Sequence, residues 1–161
     1  MEENVNKAEV QVEKSGEINP KGGVGDYYLY QIVFSVVPKD GKPFTRKEIN
    51  SKLREIETGA QLLAGGYTLI PCKGGYTFED GKKRVYDEES YILQIAGSDI
   101  STRRLREMAA AIITLYRQES VVIVFPDNHT TLVFNTEVEQ IKAENEKEYQ
   151  KLTAKGEKNA L

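Results

Sequence analysis

Tyr27-Tyr28-Leu29-Tyr30-Gln31-Ile32-Val33-Phe34-Ser35-Val36-Val37 is the stretch on which the fold turns. Eleven residues dominated by β-branched and aromatic types, closed by Pro38 and the turn pair Asp40-Gly41, read as a strand near the centre of a sheet. Successive side chains of a strand point to opposite faces. One face therefore carries Tyr28, Tyr30, Ile32, Phe34 and Val36, and the other Tyr27, Leu29, Val33 and Val37. Both are suited to burial. Such a strand needs a layer on each side, and a sheet with helices on one face only must cover the other with a copy of itself, a further helix or a ligand.

Downstream, Thr45 and Glu48 have capping-box spacing, and Ile49, Leu53 and Ile56 continue at helical intervals, with Gly59 placed to end a first helix over about 46–57. Gly65-Gly66 opens a strand, Tyr67-Thr68-Leu69-Ile70, that runs through a bulge at Gly74-Gly75 to Tyr76-Thr77-Phe78. Asp80-Gly81 is a hairpin turn, and the returning strand puts Tyr91, Leu93 and Ile95 on one face and Ile92 and Gln94 on the other. Between Ser98 and Arg117 the periodicity is helical: Leu105, Met108, Ala109, Ile112, Leu115 and Tyr116 lie on one side, Arg103, Arg106 and Arg117 opposite. Val121 to Phe125 and Thr130 to Phe134 form two short strands around Pro126-Asp127-Asn128-His129. A second capping box, Thr136 with Glu139, starts a helix with few apolar residues, which is expected to fray.

The order β-α-β-β-α-β is that of a ferredoxin-like plait, here an α+β domain over 27–135 with an additional C-terminal hairpin strand. Residues 1–26 read as a flexible polar arm and 136–161 as a charged C-terminal helix and tail. Counted by segment, the net charge is −3 for 1–26, +1 for 27–135 and −1 for 136–161. A nearly neutral core has no electrostatic footprint for duplex nucleic acid. No run approaches a membrane span, and Met1-Glu2-Glu3-Asn4 is acidic where a secretory leader would be basic and then apolar, so a cytoplasmic location is expected.

The middle of the chain resembles an uncharacterised bacterial family of small α+β domains, often found in secreted or lipid-anchored proteins. The residues that carry the likeness are Pro38-Lys39-Asp40-Gly41, Gly66-Tyr67-Thr68, Gly75-Tyr76, Gly81, Glu88 or Glu89, and Tyr116-Arg117-Gln118-Glu119-Ser120-Val121. The family usually has Trp near Tyr76 and Phe near Arg117, and this chain has no Trp. The resemblance implies the fold and brings no reaction with it.

The catalytic inventory is thin. His129, the single histidine, lies in a polar turn, and Cys72, the single cysteine, reads as a half-buried small hydrophobe. One cysteine allows no intrachain disulfide, and the spacings of common metal motifs are absent, so neither a metal nor a cofactor is expected. Gly22-Gly23-Val24-Gly25 and Gly65-Gly66 lack the context of phosphate loops. Asp87-Glu88-Glu89 and Glu79-Asp80 read as solvated strand ends. Glu119, at a helix-to-strand junction, is either a functional acid or, with Gln118, part of the helix end. Nine tyrosines beside exposed arginines suit a flat anionic ligand, by stacking and bidentate contacts.

The leading expectation is a non-enzymatic, homo-oligomeric module that captures or sequesters a small anionic or nucleotide-like molecule, using Tyr67, Tyr76, Arg84, Arg103, Arg106 and Glu119. Two alternatives stand beside it. One is a protein-interaction module docking through its sheet face or C-terminal helix; the other is a small hydrolase or lyase using Glu119 or His129.

Overall fold

The computed structural model describes residues 27–64, 66–77, 84–98 and 100–158. The expected arm over 1–26, the Asp80-Gly81 turn and Glu79-Asp80 lie outside them. Strands β1 (Tyr28–Ser35), β2 (Tyr67–Thr77), β3 (Arg84–Gly97), β4 (Ser120–Val124) and β5 (Thr130–Phe134) form one sheet in the order β2-β3-β1-β4-β5. Every pairing is antiparallel. Helices α1 (Arg46–Ala64) and α2 (Thr102–Tyr116) connect β1 to β2 and β3 to β4, and α3 (Val138–Lys158) follows a single 3-10 turn. The described residues thus form an α+β fold with a five-stranded antiparallel sheet and three helices.

The alternation of β1 sorts the molecule into two sides. Tyr30, Ile32, Phe34 and Val36 are buried beneath the helices with Leu93, Ile95, Val121 and Ile123, against Leu53, Ile56, Leu105 and Ile112. Phe34 stacks between Tyr91 and Tyr116 at centroid distances of 6.1 and 5.9 Å. Tyr116 is fully buried, and its hydroxyl donates to the Ile49 carbonyl at 2.8 Å, which ties the end of α2 to α1.

The other side of the sheet has a different character. Ile70, Ile92, Val33, Val122 and Leu132 are register partners in turn, so one aliphatic row crosses all five strands. Beside it runs a second row: Thr68, Gln94, Gln31, Val124 and Thr130. Among the described residues neither row contains an ionised side chain.

Several local expectations are corrected. Helix α1 does not stop at Gly59 but runs to Ala64, because that glycine takes helical backbone angles and packs beside Met108. Helix α2 starts later than Ser98, at Thr102, where the Ser101 hydroxyl accepts from the Arg104 N–H at 3.3 Å. The cap ahead of α3 is not Thr136 with Glu139: the Glu137 carboxylate accepts from the Phe134 N–H at 2.8 Å, two residues earlier.

Helix α3 also docks more firmly than its sparse apolar residues imply. Val138 and Ile141 are buried, and Ile113 of α2, on the arginine side, is buried with them in the core. Arg106 pairs with Glu137 at 2.9 Å, and Arg103 reaches Glu107 at 2.7 Å and Glu148 at 3.0 Å. Arg103 and Arg106 on that side of α2 are thus paired across to α3 and the turn before it, while Arg103 stays partly open to solvent. Among the described residues no helix is long and apolar enough to cross a membrane.

Candidate functional site

The sheet has two ends, and the residues with binding chemistry divide between them. At the end where β1 starts, the hairpin from β4 to β5 folds over the first residues of β1. Asn128 takes the left-handed conformation (φ 67°) that lets the turn close, and its N–H donates to the Phe125 carbonyl at 2.8 Å. The Phe125 N–H in turn donates to the His129 carbonyl at 3.0 Å.

That turn fixes the His129 ring on two sides. It stacks on Phe125 with centroids 4.2 Å apart and planes 6° from parallel, and Nδ1 lies 2.5 Å from Oδ1 of Asp127. The same carboxylate oxygen accepts from the His129 backbone N–H at 3.2 Å. Hydrogen bonds from the ring and then from the backbone hold Asp127 below the usual carboxylate range. Asp127 is therefore ionised at neutral pH, and the Nδ1 contact leaves Nε2 as the ring atom not engaged by it.

This pair borders an open hollow of about 290 Å³, walled by Tyr28, Tyr30, Phe125 and Pro126 and bounded by Ile100 and by Thr102 at the start of α2. Tyr30 meets Phe125 edge to face at 6.4 Å and 77°. Tyr28 is 45% exposed, so a large part of its ring is open to a ligand. A second hollow, of about 320 Å³, shares Tyr28, Phe125 and Pro126 and adds Leu29, Gln31 and Val124 from the other side of the sheet. Among the described residues neither hollow is lined by lysine or arginine.

At the opposite end, a hollow of about 400 Å³ is lined by Lys39, Asp40, Arg117, Gln118, Glu119 and Lys142, among others. Its groups serve the fold. Lys39 is held by both oxygens of Glu88 at 2.7 and 2.9 Å. Arg117 caps α2 in the left-handed conformation, donates to the Lys42 carbonyl at 2.8 Å and lies over the Phe44 ring. Gln118 is buried, and its amide donates to the carbonyls of Val37 and Tyr116 at 2.7 and 3.0 Å. Glu119 is exposed, and its backbone carbonyl accepts from the Asn135 N–H at 2.7 Å. Glu88 and Glu89 are likewise engaged: Glu89 is bidentate to Arg46 at 2.6 and 2.9 Å, which holds its carboxyl below the usual range.

The residues singled out from sequence do not meet at one place. Tyr67 and Tyr76 sit on one strand, nine residues or about 30 Å apart. Tyr67 is opposite Ile95, near the end with the aromatic hollow, and burial followed by a hydrogen bond with Glu57 raises its phenol above the ordinary value. Tyr76 pairs with Val85, and Arg84 with Thr77, at the far end of the long hairpin. Arg103 and Arg106 are engaged by carboxylates of α2, α3 and the turn before α3. Glu119 belongs to the opposite end of the sheet.

Tyr28, Tyr30, Phe125 and Asp127 were not singled out from sequence as ligand groups. Their signal was present in two pieces, a tyrosine pair on one face of β1 and an aromatic on each side of the β4–β5 turn. Only the register Gln31 to Val124 brings the pieces together. Among the described residues no cluster of three or more His, Cys, Asp or Glu has the geometry to hold a metal ion.

Neither family models nor curated proteins match the chain. Among solved structures, it is similar to a phage SAM lyase in complex with S-methyl-5'-thioadenosine, with a TM-score of 0.53 at 15% identity over 68% of this chain and 91% of that one. The apo state of a phage SAM lyase gives a TM-score of 0.50 at 15% identity, covering 68% of this chain and 90% of that one. At such identity the likeness is one of fold.

Proposed function

We propose that the protein is a binding module that captures a small nucleoside-like molecule in the aromatic hollow at the start of β1. The observation that carries this reading is the meeting of Tyr28, Tyr30 and Phe125 with the Asp127–His129 pair around one opening. Aromatic faces hold a flat heterocycle by stacking, an interaction worth about 1–3 kcal/mol per base. A fixed carboxylate accepts from ribose hydroxyls or an exocyclic amine, and the histidine it orients adds a second polar contact.

The sign of the charge narrows the class. With one carboxylate and no lysine or arginine among the described residues of its lining, the hollow favours a neutral nucleoside or one bearing positive charge over a polyphosphate. A sulfonium next to aromatic faces and a carboxylate gains from both. The likeness in fold to a lyase solved with S-methyl-5'-thioadenosine supports the same ligand class. The strand order β2-β3-β1-β4, with α1 and α2 on one side, supports reading the domain as a ferredoxin-like plait extended at its edge by β5.

Isothermal titration and thermal shift with S-methyl-5'-thioadenosine, S-adenosylmethionine and ATP test the proposal. The first or second should bind and stabilise the fold, by about 2.7 kcal/mol at a hundredfold excess over Kd. Tyr28→Ala and Asp127→Ala should each weaken binding at least tenfold without lowering the melting temperature of the free protein by more than a few degrees. Binding of ATP alone, or affinity unchanged in both variants, would reject the site.

A further inference from the structure

We infer that the helix-free face of the sheet is a self-association surface, occupied by a second copy of this chain. The inference is independent of the ligand reading above. It starts from the row Ile70, Ile92, Val33, Val122 and Leu132, which spans all five strands on the side away from the helices. In monomers such apolar rows are covered by a second layer. Among the described residues the one remaining helix does not supply it: α3 packs on α2, and the ion pairs of Arg103 with Glu148 of α3 and of Arg106 with Glu137 of the turn before it hold it on the helix side.

Charge identifies the occupant. Charged residues make up 29% of the sequence, yet among the described residues the central row and the row beside it hold none. A basic or acidic partner would find no counterpart on this face. A surface equally free of charge would, and the same patch on another copy is one by construction, because a two-fold contact sets identical surfaces against each other.

Size points the same way. Five strands spaced about 4.8 Å apart, over about six residues of strand, give a face of about 24 by 20 Å, on the order of 500 Å² in projection. Side-chain relief raises the accessible area toward the ~800 Å² per partner of a standard stable interface. Two such faces stack about 10 Å apart with their aliphatic side chains interdigitated, as in a sandwich. The hollow lined by Leu29, Gln31 and Val124 lies at the rim of this face, where the second copy would roof it.

Size-exclusion chromatography with light scattering on the full chain decides the matter. The expected mass is at least twice 18.1 kDa. Val33→Asp, in the middle of the central row, should return a folded monomer of unchanged far-ultraviolet circular dichroism. Leu132→Lys, on the edge strand at a position already 49% exposed, should do the same and carries the test if Val33→Asp does not fold. A full chain that is monomeric at its highest soluble concentration overturns the inference, as does an oligomer that persists in folded Leu132→Lys.

Discussion

Replacing Tyr116 by Phe removes one oxygen from the centre of the molecule, and its effect on stability should reverse with pH. The ring is fully buried against Phe34 and Phe44, each with its centroid 5.9 Å away, and phenylalanine keeps both contacts. What is lost is the 2.8 Å hydrogen bond to the Ile49 carbonyl. That carbonyl lies inside α1 and keeps its helical role, so no buried acceptor is stranded and the cost at neutral pH is about 1 kcal/mol.

Alkali changes the balance. Burial, the first cause, pushes the Tyr116 phenol above its ordinary value near 10. A group whose folded pKa is raised contributes stability that is complete below the unfolded pKa and is lost as pH climbs past it. Above about pH 10 the unfolded chain releases this proton while the folded chain keeps it, so the wild type loses about 1.4 kcal/mol per pH unit on this account. Tyr116→Phe has no such proton, and other titrating groups cancel in the difference. The two stabilities should therefore cross between about pH 10.5 and 11, with the variant the more stable beyond. Urea denaturation followed by circular dichroism, on both proteins from neutral pH to about pH 11, reads this directly. A difference that stays constant over the whole range would refute the reasoning, because Tyr116 would then ionise as easily folded as unfolded.

Two backbone substitutions test the correction at α1 and the bulge in β2. Gly59→Ala should stabilise the protein by about 0.5–1 kcal/mol through helix propensity. The new Cβ would meet only the end of the Met108 side chain, at 3.0 Å, which borders an open groove of about 340 Å³ between α1 and α2. A fall in the melting temperature would show that Met108 is locked in place. Gly75→Ala has the opposite sign, since its Cβ would lie 2.7 Å from the Val85 backbone carbonyl, which cannot turn aside. A loss of about 1–3 kcal/mol is expected in chemical denaturation, and an unchanged midpoint would mean that the two strands of the hairpin separate freely there.

Local chemistry wrote much of this fold into the chain. The alternation of β1 and β3, the amphipathic stripe of α2, the capping box at Thr45, whose hydroxyl and N–H both donate to Glu48, and the bulge between Gly74 and Tyr76 all lie within a few residues of their cause. Two uncommitted faces on β1 were legible in the same way, and with them the prospect of a sheet surface left for a partner. Where a local signal had two outcomes, the tertiary structure chose. Gly59 stops a helix or continues one according to what packs beside it, and Met108 of α2 lies there. Arg103 and Arg106, named from sequence as ligand groups on a stripe more simply read as solvated, instead meet Glu148 of α3 and Glu137 of the turn before it. The aromatic hollow lay furthest from the sequence. Its walls come from the start of β1, the approach to α2 and the turn after β4, about 100 residues apart, and no periodicity within one segment encodes which strand ends will be neighbours. Strand order decides that, and strand order follows from burying one face of each element at once.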